Sequence, residues 1–130
     1  MPDSFTLIRL TEVEDSAPKF GLGEDLEARF AKKDLEAQDT GVSLERLKPG
    51  KRSPFGHRHE NAEEIYVVLS GSGWLKLDEE IVEVRAMDAI RVAPAVTRAF
   101  EAGDDGLEFL AFGPRADGDG EVIPGWWAAD

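Results

Sequence analysis

The sequence contains no cysteine, and only two of its 130 residues are histidines. The absence of cysteine excludes a disulfide framework, a thiolate metal site and a thiol nucleophile, and it suits a reducing compartment. Long apolar runs are also missing, since no segment approaches the roughly 20 residues that a membrane helix needs. The N-terminal residues 1–4 lack the basic start of a signal peptide. The sequence therefore predicts a cytoplasmic protein.

Basic residues are outnumbered, because 15 Lys and Arg stand against 27 Asp and Glu and give a formal net charge of −12. A surface this acidic repels phosphate backbones and anionic lipids. We therefore expect neither nucleic acid nor a membrane as a partner. Basic side chains inside a pocket could still recognise a small anion.

Short apolar segments separated by turn residues fill the chain from residue 42 onward. The predicted strands are Val42–Lys48, Glu64–Leu69, Trp74–Leu77, Ile81–Val84, Ala89–Val92, Thr97–Glu101 and Leu107–Phe112. Pro49-Gly50 and residues 78–80 predict turns, the glycine-rich residues 70–73 a hairpin turn, and residues 103–106 a loop. Such strands, with a turn every 8–12 residues or about that, are typical of a β-sandwich or barrel. The lack of long helical segments in this part argues against a parallel α/β sheet.

The N-terminal part is less regular. Phe5–Leu10 predicts a short strand. Residues 22–37 predict a strand with a helical turn near Asp34–Ala37, although their apolar residues also recur at a helical spacing. Since no repeat or linker divides the chain, we expect one domain over residues 1–130, with a barrel core of about 40–113.

The C-terminal tail carries two adjacent tryptophans, Trp126 and Trp127. Their large apolar areas predict that they pack on the barrel or on a subunit partner. A lid over the barrel mouth is the alternative.

Both histidines lie in one tripeptide, His57-Arg58-His59. Residues two apart on a strand project from the same face, so both imidazoles point the same way. Glu64 follows after residues 60–63, which are enough for the chain to bend and enter the next strand. Two imidazoles and one carboxylate suit Fe, Mn, Ni, Cu or Zn, with positions left for water or substrate. We expect His57, His59 and Glu64 to share one pocket, either as metal ligands or as a structural cluster satisfied by hydrogen bonds.

This segment resembles the first conserved motif of cupins, which runs glycine, His-x-His, three or four residues, Glu, six residues and Gly. His57, His59, Glu64 and Gly71 match the motif. Gly50 lies one residue further from His57 than is usual. The spacing to Gly71 makes Glu64, rather than its neighbour, the matching carboxylate.

Residues 86–100 resemble the second cupin motif only in part. Pro94 matches, whereas Met87 and Ala95 stand where glycines are usual and Ala102 where an Asn is usual. Arg98 stands where cupins have their third His ligand. The resemblance covers about residues 40–113 and implies an all-β fold, a small antiparallel jelly-roll barrel with its pocket inside. By analogy it also implies a homodimer.

Arg98 faces the barrel interior if its position matches the cupin histidine, and a buried guanidinium needs an anionic partner. Arg98 could swing away and leave a three-ligand metal site, pair with Glu64 so that no metal binds, or bind a carboxylate or phosphate of a ligand. A fixed charge ~5 Å from a divalent ion costs a few kcal/mol at an effective dielectric of ~20–40. That cost weakens metal affinity by roughly two orders of magnitude.

The leading interpretation is a small cupin-like barrel that binds a small anionic or oxygen-rich metabolite in its central pocket. His57, His59 and Glu64 hold a divalent metal, Arg98 fixes the anionic end of the ligand, and Tyr66 faces it. For an enzyme, the resemblance implies a metal-dependent oxygenase, isomerase or decarboxylase. The alternative is a non-catalytic, metal-free ligand-binding, sensory or structural barrel in which Arg98 pairs with Glu64.

Overall fold

The computed structural model describes residues 4–114, 119–124 and 126. They form eight strands, all paired antiparallel in one curled sheet, with two short 3₁₀ turns (Leu10–Glu12 and Ala17–Phe20) and one short helix, α1 (Lys32–Leu35). The strands are β1 (Leu26–Phe30), β2 (Gly41–Leu47), β3 (Gly56–His59), β4 (Glu64–Leu77), β5 (Glu80–Arg85), β6 (Ala89–Val92), β7 (Arg98–Gly113) and β8 (Gly120–Ile123). The predicted all-β jelly-roll barrel is confirmed. None of the helices among these residues has the length and apolar character needed to cross a bilayer.

Two long strands, β4 and β7, form the frame of the barrel. They pair with each other along both of their halves, from Ile65↔Phe112 to Leu77↔Arg98. The first half of β4 also pairs with β6, and its second half pairs with β5. The second half of β7 pairs with β2, while its first residue pairs with β3. The candidate histidines on β3 are therefore placed beside the beginning of β7.

The glycine-rich stretches do not reverse or interrupt the chain, so the predicted hairpin turn at residues 70–73 and the predicted loop at residues 103–106 are wrong. Both lie inside continuous strands, opposite each other. Between the pairs Gly71↔Leu107 and Gly73↔Ala102, β4 advances by two residues and β7 by five, which makes a bulge. Bulges and turns need the same residue types, and the sequence pattern alone does not separate them.

Close backbone contact explains the glycines on β4. A Cβ atom at Gly71 would lie 2.0 Å from the Gly106 carbonyl oxygen, and one at Gly73 would lie 2.1 Å from the Glu101 carbonyl oxygen. The two strands can stay paired through the bulge only because these side chains are missing.

Other predicted elements are confirmed with small shifts at their ends. The predicted strands Val42–Lys48, Ile81–Val84 and Ala89–Val92 correspond to β2, β5 and β6. The predicted strand and helical turn within residues 22–37 correspond to β1 and α1.

The predicted strand Phe5–Leu10 is wrong. Residues 4–9 form no strand, and the side chains of Phe5 and Leu7 are 80% and 88% exposed. The residues that hydrogen-bond to the backbone of β1 lie further along the chain. Asp15 Oδ1 accepts the Ala28 N–H at 2.9 Å, and the Ser16 N–H donates to the Ala28 carbonyl at 2.8 Å. A strand needs a neighbouring backbone to pair with, and alternating apolar residues alone do not supply one.

Aromatic side chains fill the barrel interior. The rings of Phe100 and Phe109 stack with centroids 4.1 Å apart, and Tyr66 packs edge-on against both. All three are at most 3% exposed. The middle of the barrel is therefore occupied by packed side chains.

Trp126, in the C-terminal tail, lies against Lys76 of β4 and Gly56 of β3. The Lys76 ammonium lies 4.6 Å from its ring centroid and donates a hydrogen bond of 2.9 Å to its carbonyl oxygen. A Cβ atom at Gly56 would come within 2.7 Å of the ring, so glycine at the start of β3 makes room for it. Trp127 lies outside the described residues.

We expect Gly73→Ala to lower the free energy of unfolding by about 3 kcal/mol, because the new methyl group overlaps the opposite backbone. Gly50→Ala is the matched control, since Gly50 has a positive φ of 73° and a Cβ atom there would meet nothing within 4 Å. It should cost about 1 kcal/mol, from backbone strain alone. Urea unfolding at pH 7 measures both, and equal losses would contradict the steric explanation.

Candidate functional site

The structure brings His57, His59 and Glu64 together. The histidines lie on β3 and project from the same face, and Glu64 is the first residue of β4. The candidate ligand atoms of the three side chains all lie within 4.8 Å of one another. The two imidazoles meet edge to face, with ring centroids 5.3 Å apart. The spacing is compatible with one shared metal ion, and the assignment of the three as metal ligands stays a prediction.

One oxygen, Glu64 Oε1, is the centre of the cluster. His57 Nε2 and His59 Nε2 each lie 3.2 Å from it. The Tyr66 hydroxyl donates a hydrogen bond of 2.6 Å to it, and Arg98 Nη2 donates one of 3.0 Å. This oxygen therefore links β3 to the barrel interior.

Arg98 is fully buried, with a side-chain exposure of 0%. Besides Glu64, its guanidinium donates to the carbonyl oxygens of Pro94 at 3.1 Å and Val96 at 2.6 Å, and to the Tyr66 hydroxyl at 3.3 Å. Of the three arrangements considered for Arg98, the structure therefore contains the Glu64 pair. That Arg98 also fixes an anionic ligand stays a prediction.

Tyr66 is protonated in this arrangement. Burial, followed by the charge of Glu64, raises the pKa of its hydroxyl well above the ordinary value of 10. The hydroxyl consequently donates to Glu64 and accepts from Arg98 Nε, so it bridges the two charged groups. The side chain is 2% exposed, and contact with a ligand stays a prediction for Tyr66 as well.

Glu64 is ionised at neutral pH despite its burial. Desolvation alone would raise its pKa, but hydrogen bonds from His57 and Tyr66 and the charges of His57 and Arg98 lower the pKa from 4.5 to about 2. The carboxylate therefore keeps its negative charge opposite the guanidinium.

His59 is the least satisfied member of the cluster. Its side chain is 17% exposed, and neither of its ring nitrogens forms a hydrogen bond with a described residue. Both nitrogens nevertheless lie 3.2 Å from a carboxylate oxygen, Nε2 from Glu64 and Nδ1 from Asp119. The distances are short enough for ion pairs, but the angles do not fit hydrogen bonds. Because buried polar atoms normally have a hydrogen-bond partner, a ring nitrogen without one is available to bind a ligand.

Asp119 lies at the site although no pattern in the sequence predicts it there. It lies 60 residues after His59, beyond the cupin-like segment, in a tail rich in Gly and Asp. Burial raises its pKa, but hydrogen bonds from the Asn61 and Ala62 backbone outweigh that effect and lower it. The pairing of β8 with β3, with Gly120 opposite His59, brings Asp119 to the site.

The cluster is open on the side of His57, whose side chain is 35% exposed. Glu64 and His59 are both 17% exposed, while Arg98 and Tyr66 close the inner side. The exposed edge of the cluster is therefore the side of His57.

Comparison with known proteins gives one family. The family model described as cupin domain matches residues 43–113, more than half of the chain. An uncharacterized protein of Methanocaldococcus jannaschii is 34% identical over 70 residues. Those residues are 52% of this chain and 56% of that protein, so the chain spans about half the length of this curated relative.

Solved structures agree on the fold. A cupin protein from Bacteroides fragilis is 26% identical, with 90% of this chain and 89% of that one covered at a TM-score of 0.72. The polyketide cyclase RemF from Streptomyces resistomycificus is 20% identical (92% and 84% covered, TM-score 0.74). Oxalate decarboxylase from Bacillus subtilis is 17% identical (94% and 33% covered, TM-score 0.75). The last two likenesses show the fold alone.

We expect Glu64→Gln to lower the free energy of unfolding of the metal-free protein by about 3 kcal/mol, because it leaves the guanidinium of Arg98 buried without an anion. Glu63→Gln is the control, since Glu63 pairs with Arg91 at the surface, with exposures of 55% and 64%. Its loss should stay below about 1 kcal/mol. Urea unfolding at pH 7 with a chelator measures both, and a small effect at Glu64 would contradict the pairing.

The difference between the wild type and Glu64→Gln should depend on pH. Because folding lowers the pKa of Glu64 from 4.5 to about 2, its contribution is complete above pH 4.5 and is lost as the pH falls toward 2. Free energies of unfolding measured for both proteins from pH 6 to 2 should therefore converge. A constant difference across this range would mean that the carboxylate is not held ionised by folding.

Proposed function

The chain belongs to the cupin family, and from that premise we propose that it binds one divalent transition metal through His57, His59 and Glu64. Through that ion it would hold a small anionic or oxygen-rich metabolite at the rim of the barrel. The observation that carries the proposal is His59, a member of the cluster whose two ring nitrogens are buried and have no hydrogen bond with the described residues.

The three side chains fit such an ion. Two imidazole nitrogens and a carboxylate oxygen are the donor set of Fe(II), Mn(II), Ni(II), Cu(II) and Zn(II) sites with open positions. When bound, the ion would supply a Lewis acid or a redox centre. Because one of the three ligands is shared with Arg98, we expect weaker binding than at a site whose carboxylate is free.

The surrounding residues define what the site can accept. Tyr66 and Arg98 hold Glu64 from the inner side, so its oxygen is fixed before a ligand arrives. The stacked rings of Phe100 and Phe109 lie buried in the interior behind them. A ligand would enter past His57 and would meet the cluster at its exposed edge.

The proposed reaction class is metal-assisted oxygenation, isomerisation or decarboxylation of a small metabolite. It follows from cupin membership, and the oxalate decarboxylase among the similar structures supports this range without choosing within it.

A second candidate function is favoured by the Arg98–Glu64 contact. The pair balances one positive against one negative charge, so Glu64 and Arg98 neutralise each other without a metal. In that case the protein would be a metal-free ligand-binding, sensory or structural cupin.

Metal binding separates the two candidates. Protein purified without an affinity tag, stripped with a chelator and dialysed against Fe(II), Mn(II), Ni(II), Cu(II) or Zn(II) should retain one ion per chain for at least one metal. His57→Gln and His59→Gln should each abolish retention, because each removes one of three ligands. Elemental analysis measures the ratio. If every metal is retained at less than roughly a tenth of an ion per chain, the metal site is refuted and the metal-free function is supported.

Arg98 variants test whether the charge of the guanidinium weakens metal binding. Removing the guanidinium removes a repulsion of about 3 kcal/mol at an effective dielectric near 40, so Arg98→Met should bind Zn(II) about 10²-fold more tightly. Arg98→His should gain more, since it adds a third imidazole. Arg91→Met is the control, because it removes one exposed positive charge near the site. Calorimetric titration measures the affinities, and unchanged values for both Arg98 variants would contradict the proposed location of the ion.

A further inference from the structure

β3, which carries both histidines, is attached to the barrel frame by little direct pairing. It pairs with β7 at one position, His57↔Arg98. In addition, the His59 N–H donates to the Pro94 carbonyl at 2.7 Å. On its other side, all four residues of β3 pair with β8. The C-terminal segment, which lies outside the residues matched by the family model, therefore forms one wall of the site.

Asp119 is the residue of this segment that reaches the cluster. Its Oδ1 accepts from the Asn61 N–H at 2.8 Å and from Asn61 Nδ2 at 3.2 Å, and its Oδ2 accepts from the Ala62 N–H at 3.1 Å. Its own carbonyl oxygen accepts from the Glu60 N–H at 2.9 Å. With a side-chain exposure of 6%, the carboxylate is held in place from several sides.

The fixed carboxylate lies beside one nitrogen of His59. Asp119 Oδ2 is 3.2 Å from Nδ1, while the other nitrogen, Nε2, is 3.2 Å from Glu64 Oε1. An ionised carboxylate accepts hydrogen bonds but cannot donate one. A neighbouring imidazole is stabilised when it carries its proton on the facing nitrogen, which leaves a lone pair on the other nitrogen.

We propose that Asp119 is a positioning residue that keeps the His59 proton on Nδ1 and turns the lone pair of Nε2 toward Glu64 and the bound ion. The inference rests on the proposed metal site and adds a residue from outside the cupin motifs. The angle at Nδ1 is outside hydrogen-bond limits in this structure. Binding at Nε2 would fix the ring and align Nδ1–H with Asp119, since such contacts often tighten only in the complex.

Both His57 Nε2 and His59 Nε2 lie 3.2 Å from Glu64 Oε1, and His59 also has the Asp119 carboxylate beside its other nitrogen. The lone pair of His59 Nε2 points at a carboxylate oxygen that would otherwise attract a proton to this nitrogen. Without Asp119, the ring would carry its proton on Nε2 and donate to Glu64. That tautomer cannot bind a metal through Nε2.

The test uses Asp119→Asn and Asp119→Ala in the full chain. Asn keeps the size of the side chain and one oxygen for Asn61, whereas Ala removes both acceptors. Because the chain has two histidines, a long-range ¹H–¹⁵N spectrum contains two imidazole patterns, and His57→Gln assigns them. In the metal-free wild type at pH 8.5, His59 should show the Nδ1–H tautomer. In both variants, the Nε2–H form should increase while the His57 pattern stays unchanged.

Zn(II) affinity is the second readout. Both Asp119 variants should bind Zn(II) about 10- to 100-fold more weakly than the wild type, the usual loss when the partner of a metal-bound histidine is removed. Glu121→Ala is the matched control on β8, because it breaks the surface pair with Arg58 and leaves His59 untouched. It should keep both the tautomer and the affinity.

Failure of this inference differs from failure of the metal site. If the wild type binds Zn(II) and the folded Asp119→Asn protein keeps the wild-type tautomer and affinity, the positioning role is refuted and the metal site stands. If the wild type binds no metal, the metal site is refuted, and the tautomer of His59 in the variants still decides the role of Asp119. If Asp119→Ala does not fold, Asp119→Asn supplies both readouts.

Discussion

A guanidinium that loses all contact with water must find an anion and several oxygen acceptors, and the position of Arg98 imposes this requirement on the barrel. Glu64 supplies the anion, while Tyr66 and the carbonyl oxygens of Pro94 and Val96 supply the other acceptors. These groups come from the beginning of β4 and from the segment that leads into β7. The ion pair consequently ties together the two longest strands at the end of the barrel where the histidines lie.

The same contact gives the site its rigidity and its electrostatic conflict. Glu64 is held by Tyr66 and Arg98 through the oxygen that also faces both imidazoles. A carboxylate fixed in this way is well placed as a ligand, yet its charge is already balanced by a buried cation. The proposed metal would therefore compete with Arg98 for one carboxylate, and the proton positions on the histidines would influence the outcome.

Site residues that local spacing brings together can be predicted from the sequence. Residues that reach the site through the pairing of distant strands cannot be predicted in this way. The i, i+2 spacing of His57 and His59 places both rings on one face of a strand, and the cupin spacing selects Glu64 over Glu63. The stretches around Gly71 and Gly106 were misread because a glycine-rich bulge has the composition of a turn. Asp119 was missed because only the pairing of β8 with β3 brings it to His59, and no short motif encodes that pairing.

Asp119 also changes the charge balance of the site. Counting the groups that contact the histidines or Glu64, the carboxylates of Glu64 and Asp119 carry two negative charges and the guanidinium of Arg98 carries one positive charge. With neutral imidazoles, a divalent ion would meet a net charge of −1, the same value as a site with one carboxylate and no arginine. The acidic residue brought in by the C-terminal segment thus offsets the cation that replaces the third histidine. Arg98 pairs with Glu64 while Asp119 lies beside His59, so at the proposed metal site the second carboxylate would compensate for the arginine at the third ligand position.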